Sequence, residues 1–187
     1  PLGMYTAVSN LDQWQTEFGI DIEHIEQYDV VRYAEQVDEA RVEKAFRWLE
    51  EHVGEIKYDG DVLTPAKLKR QIRSYYATRA IIDERQLDFV GFKSHGDLTD
   101  YFVTMDLTEA FLNDPYDFDG PKETFVAATE ADMDAALTMQ IMKHFSGEPV
   151  LFADVRHYDA EQDVWCFANS GTHATYFAGR SKNPAEN

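Results

Sequence analysis

The sequence contains a single cysteine, Cys166, so no disulfide can form within the chain. This usage fits a reducing compartment, and we expect the protein to be cytoplasmic. Basic residues are also few, because 17 lysines and arginines stand against 35 aspartates and glutamates, a formal net charge of −18 at pH 7. A chain this acidic repels nucleic acids and anionic membranes, so we expect neither as a partner.

Long apolar segments and familiar motifs are missing as well. No apolar run approaches the roughly 20 residues that cross a membrane, and the opening PLGMYTAVSN lacks the pattern of a secretory signal. There is no internal repeat, P-loop, G-x-G-x-x-G or G-x-S-x-G motif, and no zinc-ligand spacing. The acidic segment 113–120, NDPYDFDG, lacks the spacing of an EF-hand and is predicted to be a turn-rich loop. Function must therefore be inferred from individual residues and their positions in the predicted fold.

What the sequence does contain is an α/β pattern, clearest between residues 125 and 156. Phe125–Ala128 and Val150–Ala153 are short apolar runs typical of buried strands. A helix is predicted between them, ended by Gly147 and Pro149. We expect its buried side to carry four residues at four-residue spacing: Met133, Leu137, Ile141 and Phe145.

A carboxylate follows each of these two predicted strands. Glu130 and Asp154 are 24 positions apart, and a right-handed crossover would make their strands parallel. Both acids would then share the carboxyl edge of the sheet, where open α/β sheets bind ligands. There they could share a divalent cation or divide acid and base roles. The alternative is that each acid is a helix N-cap or a solvated loop residue.

Lys93 is a third candidate for the same edge. It follows a predicted buried strand, Leu87–Phe92, and precedes Ser94 and His95. A lysine at this edge could neutralise negative charge that develops on a bound oxygen. It could equally be a surface lysine, and His95 could be an ordinary loop histidine.

The remaining pattern is mainly helical, with three short strands, before residue 125 and a β-hairpin after residue 154. Asn10, Asp38 and Thr64-Pro65 are predicted to start helices. Four basic residues crowd the first half of the last of these helices, either as a solvated face or as a subunit contact. Val155–Tyr158 and Val164–Ala168 are predicted to pair around a polar turn. The other predicted elements are helices 10–18, 27–37, 38–53, 64–84 and 107–112, and strands 5–8, 20–25 and 87–92.

Several segments of the chain resemble the L-fucose isomerase family. FVAATEAD at 125–132, LTM at 137–139, FADVR at 152–156 and NSG at 169–171 look like that family's motifs, and the acid pair has its order and spacing. LGMYTAV near the start, WQTEFGIDIEHI at 14–25, and GFK with LTD at 98–100 fit the family as well. The resemblance covers nearly the whole chain after the first residues.

The resemblance implies an aldose–ketose (ketol) isomerase. Family members interconvert sugars such as L-fucose or D-arabinose with their ketoses through an ene-diol, use manganese, and assemble as homo-oligomers. Glu130 and Asp154 match the family's metal-binding Glu and Asp, which also move protons. The third ligand, a His, would lie beyond Asn187. Lys93 would bind the sugar, and because the fucose enzymes have a Gln at that position, the preferred sugar stays open.

The expected fold class is α/β: a three-layer αβα Rossmann-like domain with a mainly parallel sheet, then a short β segment. By the resemblance, residues 1–148 would form the family's second N-terminal domain and 149–187 the start of its mostly-β C-terminal domain. The chain would then be a piece of a larger enzyme, with weak Mn²⁺ binding and little activity alone. Two alternatives remain open: a non-catalytic sugar-binding or assembly module, and a different α/β enzyme, such as a metal-dependent hydrolase.

Overall fold

A computed structural model of the protein describes residues 10–93, 96–169 and 171–187. The predicted strand 5–8, and Ser94 and His95 at the predicted sheet edge, lie outside the described residues. The fold is mixed α/β, with short strands between longer helices. The helices are α1 (Leu11–Gln13, continued by a π-helical segment Trp14–Phe18), α2 (Gln27–Ala34), α3 (Glu39–His52), α4 (Pro65–Arg85), α5 (Asp97–Tyr101), α6 (Asp106–Asn113), α7 (Met133–Ser146) and α8 (Tyr176–Gly179), followed by a 3₁₀ turn (Pro184–Glu186). The strands are β1 (Phe89–Phe92), β2 (Tyr116–Asp117), β3 (Gly120–Pro121), β4 (Val126–Thr129), β5 (Asp154–Asp159) and β6 (Val164–Ala168).

The predicted helix boundaries are confirmed by their caps. The side chains of Asn10, Asp38 and Thr64 each accept a hydrogen bond from a backbone N–H in the first turn of the helix that follows. Pro65 occupies the first turn of α4, where it replaces an N–H that has no partner within the helix. Gly147 ends α7 with φ = 70°, a conformation that glycine adopts without steric cost.

Helix α4 is the centre of the core and packs against α2, α3 and α6. The predicted buried side of α4 is confirmed, because Leu68, Ile72, Tyr75, Tyr76 and Ile82 are all buried. Ring-edge contacts between Tyr75, Phe111 and Phe118 extend this core toward α6 and the β2–β3 turn.

The four basic residues in the first half of α4 are Lys67, Lys69, Arg70 and Arg73. Arg73 donates to the Val37 carbonyl at 2.8 Å and pairs with Glu39, and Lys69 pairs with Glu43 of α3. Arg70 donates to the Phe102 carbonyl at 2.9 Å, and Lys67 donates to the Asp61 carbonyl at 2.6 Å. These side chains therefore hold α4 to neighbouring segments of its own chain.

Strands β1 and β4 form a parallel pair, in which Phe89 lies opposite Val126 and Phe92 opposite Thr129. Both faces of β4 are covered: Ala127 belongs to the helical core around α4, whereas Val126 and Ala128 pack with α7. Burial on two faces is the usual environment of parallel strands. Among the described residues every sheet has two strands. The complete three-layer arrangement therefore stays a prediction.

Two predicted strands are wrong. Residues 19–26 have no regular structure, although their isoleucines suggest a strand. Residues 149–153 are also irregular; Val150 and Phe152 pack on the cluster formed by β4 and α7 without joining a sheet. Apolar side chains can thus be buried by an irregular segment, and a short apolar run does not by itself specify strand pairing.

The outer edge of β4 is occupied by a side chain instead of a strand. The amide of Asn113, at the end of α6, donates to the Ala127 carbonyl at 2.8 Å and accepts from the Ala127 N–H at 3.3 Å. Phe125 donates its N–H to the Leu112 carbonyl at 2.8 Å. These contacts satisfy backbone groups at the edge where a neighbouring strand would bind.

The predicted buried side of α7 is also wrong at its C-terminal end. Ala136 and Met139 are buried, but Ile141 is 45% exposed and Phe145 is 86% exposed. A stripe at four-residue spacing turns by about 40° per step around a helix of 3.6 residues per turn. In addition, a 14-residue helix is about 21 Å long and a four-residue strand about 13 Å, so the helix extends beyond the sheet.

The acidic segment 113–120 is more ordered than the prediction of a turn-rich loop suggests. It forms the β2–β3 turn, and Asp114 and Asp117 are buried. Asp117 pairs with Arg79 at 2.7 Å and accepts from Tyr75. Asp114 accepts from the backbone N–H groups of Thr175 and Tyr176, so it attaches the C-terminal segment to this part of the fold. None of the helices in the described residues is long and apolar enough to cross a lipid bilayer.

Candidate functional site

The carboxyl end of the parallel pair brings Lys93 and Glu130 to one edge. Phe92 and Thr129 are opposite each other in the register, so the residues that follow them leave the sheet side by side. Gln27, the first residue of α2, donates its side-chain amide to the Lys93 carbonyl and thereby holds the end of β1. Lys93 and Glu130 are both half-buried. Their common edge is the position that α/β folds use for ligands.

The chain turns sharply at Glu130. Glu130 and Ala131 have φ angles of 62° and 55°, the left-handed region that residues with a Cβ seldom adopt. Asp132 N–H bonds back to the Thr129 carbonyl at 3.2 Å and closes the turn. Strained backbone of this kind is concentrated at ligand-binding and catalytic positions.

A glycine in β1 makes room for this turn. A Cβ built on Gly91 would lie 2.9 Å from the Ala131 Cα and 2.8 Å from the Met133 Sδ. Gly91 therefore lets the backbone around Ala131 approach the strand closely. An isolated glycine inside a predicted strand is the one sequence signal that could have indicated the close approach.

Asp154 occupies a different position from the predicted one. It is the first residue of β5, in an antiparallel hairpin with β6, and is not at the carboxyl end of a parallel strand. Its side chain is 54% exposed and lies 3.8 Å from Arg156. The parallel crossover expected to bring Asp154 beside Glu130 is therefore wrong, because residues 150–153 form no strand and Asn113 takes the outer edge of β4.

The two acids are nevertheless connected by a short series of contacts. Asp154 is opposite Ala168 in the hairpin register. The next residue, Asn169, donates its side-chain amide to Thr129 Oγ1 at 3.2 Å. Thr129 directly precedes Glu130. The base of the hairpin, which carries Asp154, is thus attached to the strand end that carries Glu130.

Glu109 contacts Thr129 at this attachment, and the sequence analysis did not identify it. It is on α6, only 2% exposed, and its Oε2 accepts from Thr129 Oγ1 at 2.9 Å. Burial is the main cause that raises the pKa of Glu109 to about 8; the Thr129 hydrogen bond acts in the opposite direction, and the charges of Asp106 and Glu130 contribute to the rise. An uncharged Glu109 carboxyl is therefore expected at neutral pH. In the sequence it resembles any helical glutamate, so no local signal distinguishes it.

The described residues supply oxygen donors but no complete metal site. Within 10–93, 96–169 and 171–187, no group of three or more His, Cys, Asp and Glu side chains is placed to hold a metal ion. His173 lines a cavity of about 10 Å³ together with Glu109 and Asn169, which is room for one water molecule at most. His157 lies opposite Cys166 in the hairpin.

Comparison with known proteins identifies the fold unit that holds Lys93, Glu109 and Glu130. Residues 84–147 match the family described as "L-fucose isomerase, second N-terminal domain". The chain is 25% identical to the L-fucose isomerase of Streptococcus pneumoniae strain CGSP14, over 87% of this chain and 32% of that protein. It is 27% identical to the same-named protein of strain Hungary19A-6, with the same coverage.

The chain is similar to the L-fucose isomerase family. Its second N-terminal domain is the part that the family model matches, and the predicted resemblance is confirmed. The matched span includes β1, α6, β4 and all of α7, whereas Asp154 lies beyond it. The chain spans about a third of the length of the L-fucose isomerases it matches. The proposed division of the chain at residue 148 stays a prediction.

Proposed function

We propose that this chain is part of a metal-dependent aldose–ketose isomerase and contributes two carboxylates, Glu130 and Asp154, to its active site. The observation that supports the proposal is the strained turn at Glu130, which lies beside Lys93 at the carboxyl edge of the parallel strands. The names of the related proteins support the sugar isomerase class. The sugar is L-fucose, D-arabinose or a similar aldose.

The donor chemistry of the proposed site fits a hard divalent cation such as Mn²⁺. Glu130 and Asp154 offer carboxylate oxygens, which Mg²⁺, Ca²⁺ and Mn²⁺ prefer over sulfur ligands. Two carboxylates do not complete a coordination shell, and the third ligand proposed from the family resemblance is a histidine outside this chain. When bound, the cation would polarise the sugar oxygens and spread the charge of an ene-diolate.

Residues of this chain would carry out the proton transfer and stabilise the charge that develops on the sugar. A carboxylate at the sheet edge can take the proton from C2 of the aldose and return it to C1, while the hydroxyl proton moves from O2 to O1; together the two transfers interconvert the aldose and the ketose. The turn at Glu130 fixes its backbone, so the carboxylate is presented to the edge at small entropic cost. Lys93 adds a positive charge beside it, which would stabilise negative charge on a sugar oxygen. With two of the proposed ligands, the chain alone should bind Mn²⁺ weakly and isomerise sugar poorly.

One observation favours the alternative of a non-catalytic assembly module. Val155, Tyr158, Trp165 and Phe167 share one face of the β5–β6 hairpin, and all four are exposed. A contiguous exposed apolar face is typical of a contact surface. The two functions are compatible within one parent protein, but only the isomerase proposal requires the two acids to bind metal.

Titration of Mn²⁺ by electron paramagnetic resonance tests the proposal on this chain. We expect weak binding by the wild type and its loss in both Glu130→Gln and Asp154→Asn, with unchanged circular dichroism. Glu123→Gln is the matched control, because Glu123 precedes β4 at the opposite end of the same strand and its side chain is 87% exposed. Titration in about 0.15 M salt limits nonspecific attraction by the net charge. Binding that is absent from the wild type, or unaffected by either acid substitution, would contradict the proposal.

A further inference from the structure

We propose that Glu109, through Thr129 and Asn169, is a positioning residue that holds the base of the β5–β6 hairpin against the turn of Glu130. The inference deepens the proposed function and rests on it for the role of the two acids. The position of Glu109 itself follows from contacts among described residues.

The contacts form a continuous series from a helix to the hairpin. Glu109 Oε2 accepts from Thr129 Oγ1 at 2.9 Å, and Thr129 Oγ1 accepts from Asn169 Nδ2 at 3.2 Å. Asn169 Oδ1 accepts from the Gly171 N–H at 3.2 Å. Each polar group therefore orients the next one. Thr129, in the middle of the series, is the residue before Glu130.

Gly171 brings the backbone directly onto this pair of side chains. A Cβ at Gly171 would lie 2.9 Å from Glu109 Oε2 and 2.9 Å from Thr129 Oγ1. The chain that leaves the hairpin thus lies in contact with Glu109 and Thr129 and has no room for a side chain. Loss of the carboxyl would open a space where Thr129, Asn169 and Gly171 now meet.

The arrangement explains why a buried carboxyl occupies this place. Burying a carboxyl group without a hydrogen bond costs free energy of folding, and one oxygen of Glu109 accepts a hydrogen bond from Thr129 Oγ1. The Asn113 side chain, one helical turn later, donates to both the Glu109 and Ala127 carbonyls. Helix α6 is consequently attached to β4 by both Asn113 and Glu109. The Glu109 contact holds the carboxyl end of the strand in place.

Hydrogen exchange provides a test that needs no metal. In Glu109→Ala we expect amides of the 129–132 turn and of residues 171–176 to exchange about tenfold faster, whereas α4 keeps its protection. Glu109→Gln retains an acceptor for Thr129 and should exchange as the wild type does. Asp106→Asn changes another acid of the same helix, leaves the Glu109–Thr129 hydrogen bond in place and is the matched control. Unchanged protection of both segments in Glu109→Ala would overturn the proposal.

Mn²⁺ affinity provides the readout that a purely structural role would not change. If the wild type binds Mn²⁺, Glu109→Ala should weaken binding about tenfold at unchanged circular dichroism, and Glu109→Gln should restore it. Equal affinity in all three proteins would overturn the positioning role. If the wild type binds no Mn²⁺, the proposed function fails in this chain, and hydrogen exchange alone decides whether Glu109 positions the two segments. If Glu109→Ala does not fold, Thr129→Val and Asn169→Ala replace it in both measurements.

Discussion

Glu109 shows how a single buried acid can make stability depend on pH. Because burial raises its pKa to about 8 from the ordinary 4.5, the folded state holds a proton that the unfolded state releases between those values. The stability that this proton contributes is complete below pH 4.5 and is lost as the pH rises toward 8. We expect the free energy of unfolding to fall with pH by up to about 1.4 kcal/mol per pH unit from this group.

Urea unfolding of the wild type and Glu109→Gln between pH 5 and 7.5 measures this contribution. The difference between the two proteins removes the effect of the other carboxylates, and the glutamine variant should have the flatter profile. Lys122 does not disturb this range, because burial lowers its pKa to about 8 and its contribution changes only above that value. Parallel profiles for the two proteins would show that Glu109 is already ionised in the folded state.

The turn at Ala131 allows a second prediction at single residues. Ala131 has φ = 55°, where glycine is favoured over any residue with a Cβ. Ala131→Gly should therefore raise the free energy of unfolding by about 0.5 to 1 kcal/mol. The same substitution at Ala80, an exposed position in the interior of α4, should lower it by a similar amount, because glycine destabilises a helix interior. Destabilisation by both substitutions in thermal unfolding would show that the turn is not strained.

At the scale of secondary structure, local signals predicted helices better than strand partners. Capping residues such as Asp38 and Thr64-Pro65 act within one turn, so the sequence contains what determines the helix start. The hairpin was predicted for the same reason, because its turn is local. The partner of β4 depends instead on contacts distant in sequence. Nothing near Asn113 indicates that its amide would take the place of a neighbouring strand.

The candidate site shows the same difference between features set by local sequence and features set by contacts distant in sequence. The register between Phe92 and Thr129 agrees with the predicted meeting of Lys93 and Glu130 at one edge, because each directly follows one strand of a parallel pair. Asp154 was expected by a crossover, but the structure connects it through Ala168 and Asn169. Glu109 was not predicted, because its burial and raised pKa depend on how α6 packs on β4.

At the scale of the whole molecule, the excess of acidic residues should oppose folding. The net charge of −18 is carried by a chain of 187 residues, and like charges repel more strongly in the folded state than in an expanded chain. Salt screens this repulsion, since the Debye length falls from about 30 Å at 0.01 M to about 3 Å at 1 M. If repulsion costs on the order of 1 kcal/mol, raising NaCl from 0.01 to 0.5 M should increase Tm by about 2 to 4 °C.

The pH dependence of the salt effect separates screening from other actions of salt. Near pH 4.5, the isoelectric point calculated from the sequence, the net charge is small and added NaCl should change Tm little. At pH 7.5 the full increase should appear. A similar rise at both pH values would point to the general strengthening of apolar burial by salt. Salt also weakens the ion pairs between α4 and α3. A fall in Tm with salt at pH 7.5 would therefore mean that these pairs stabilise the fold by more than the repulsion among the surplus negative charges destabilises it.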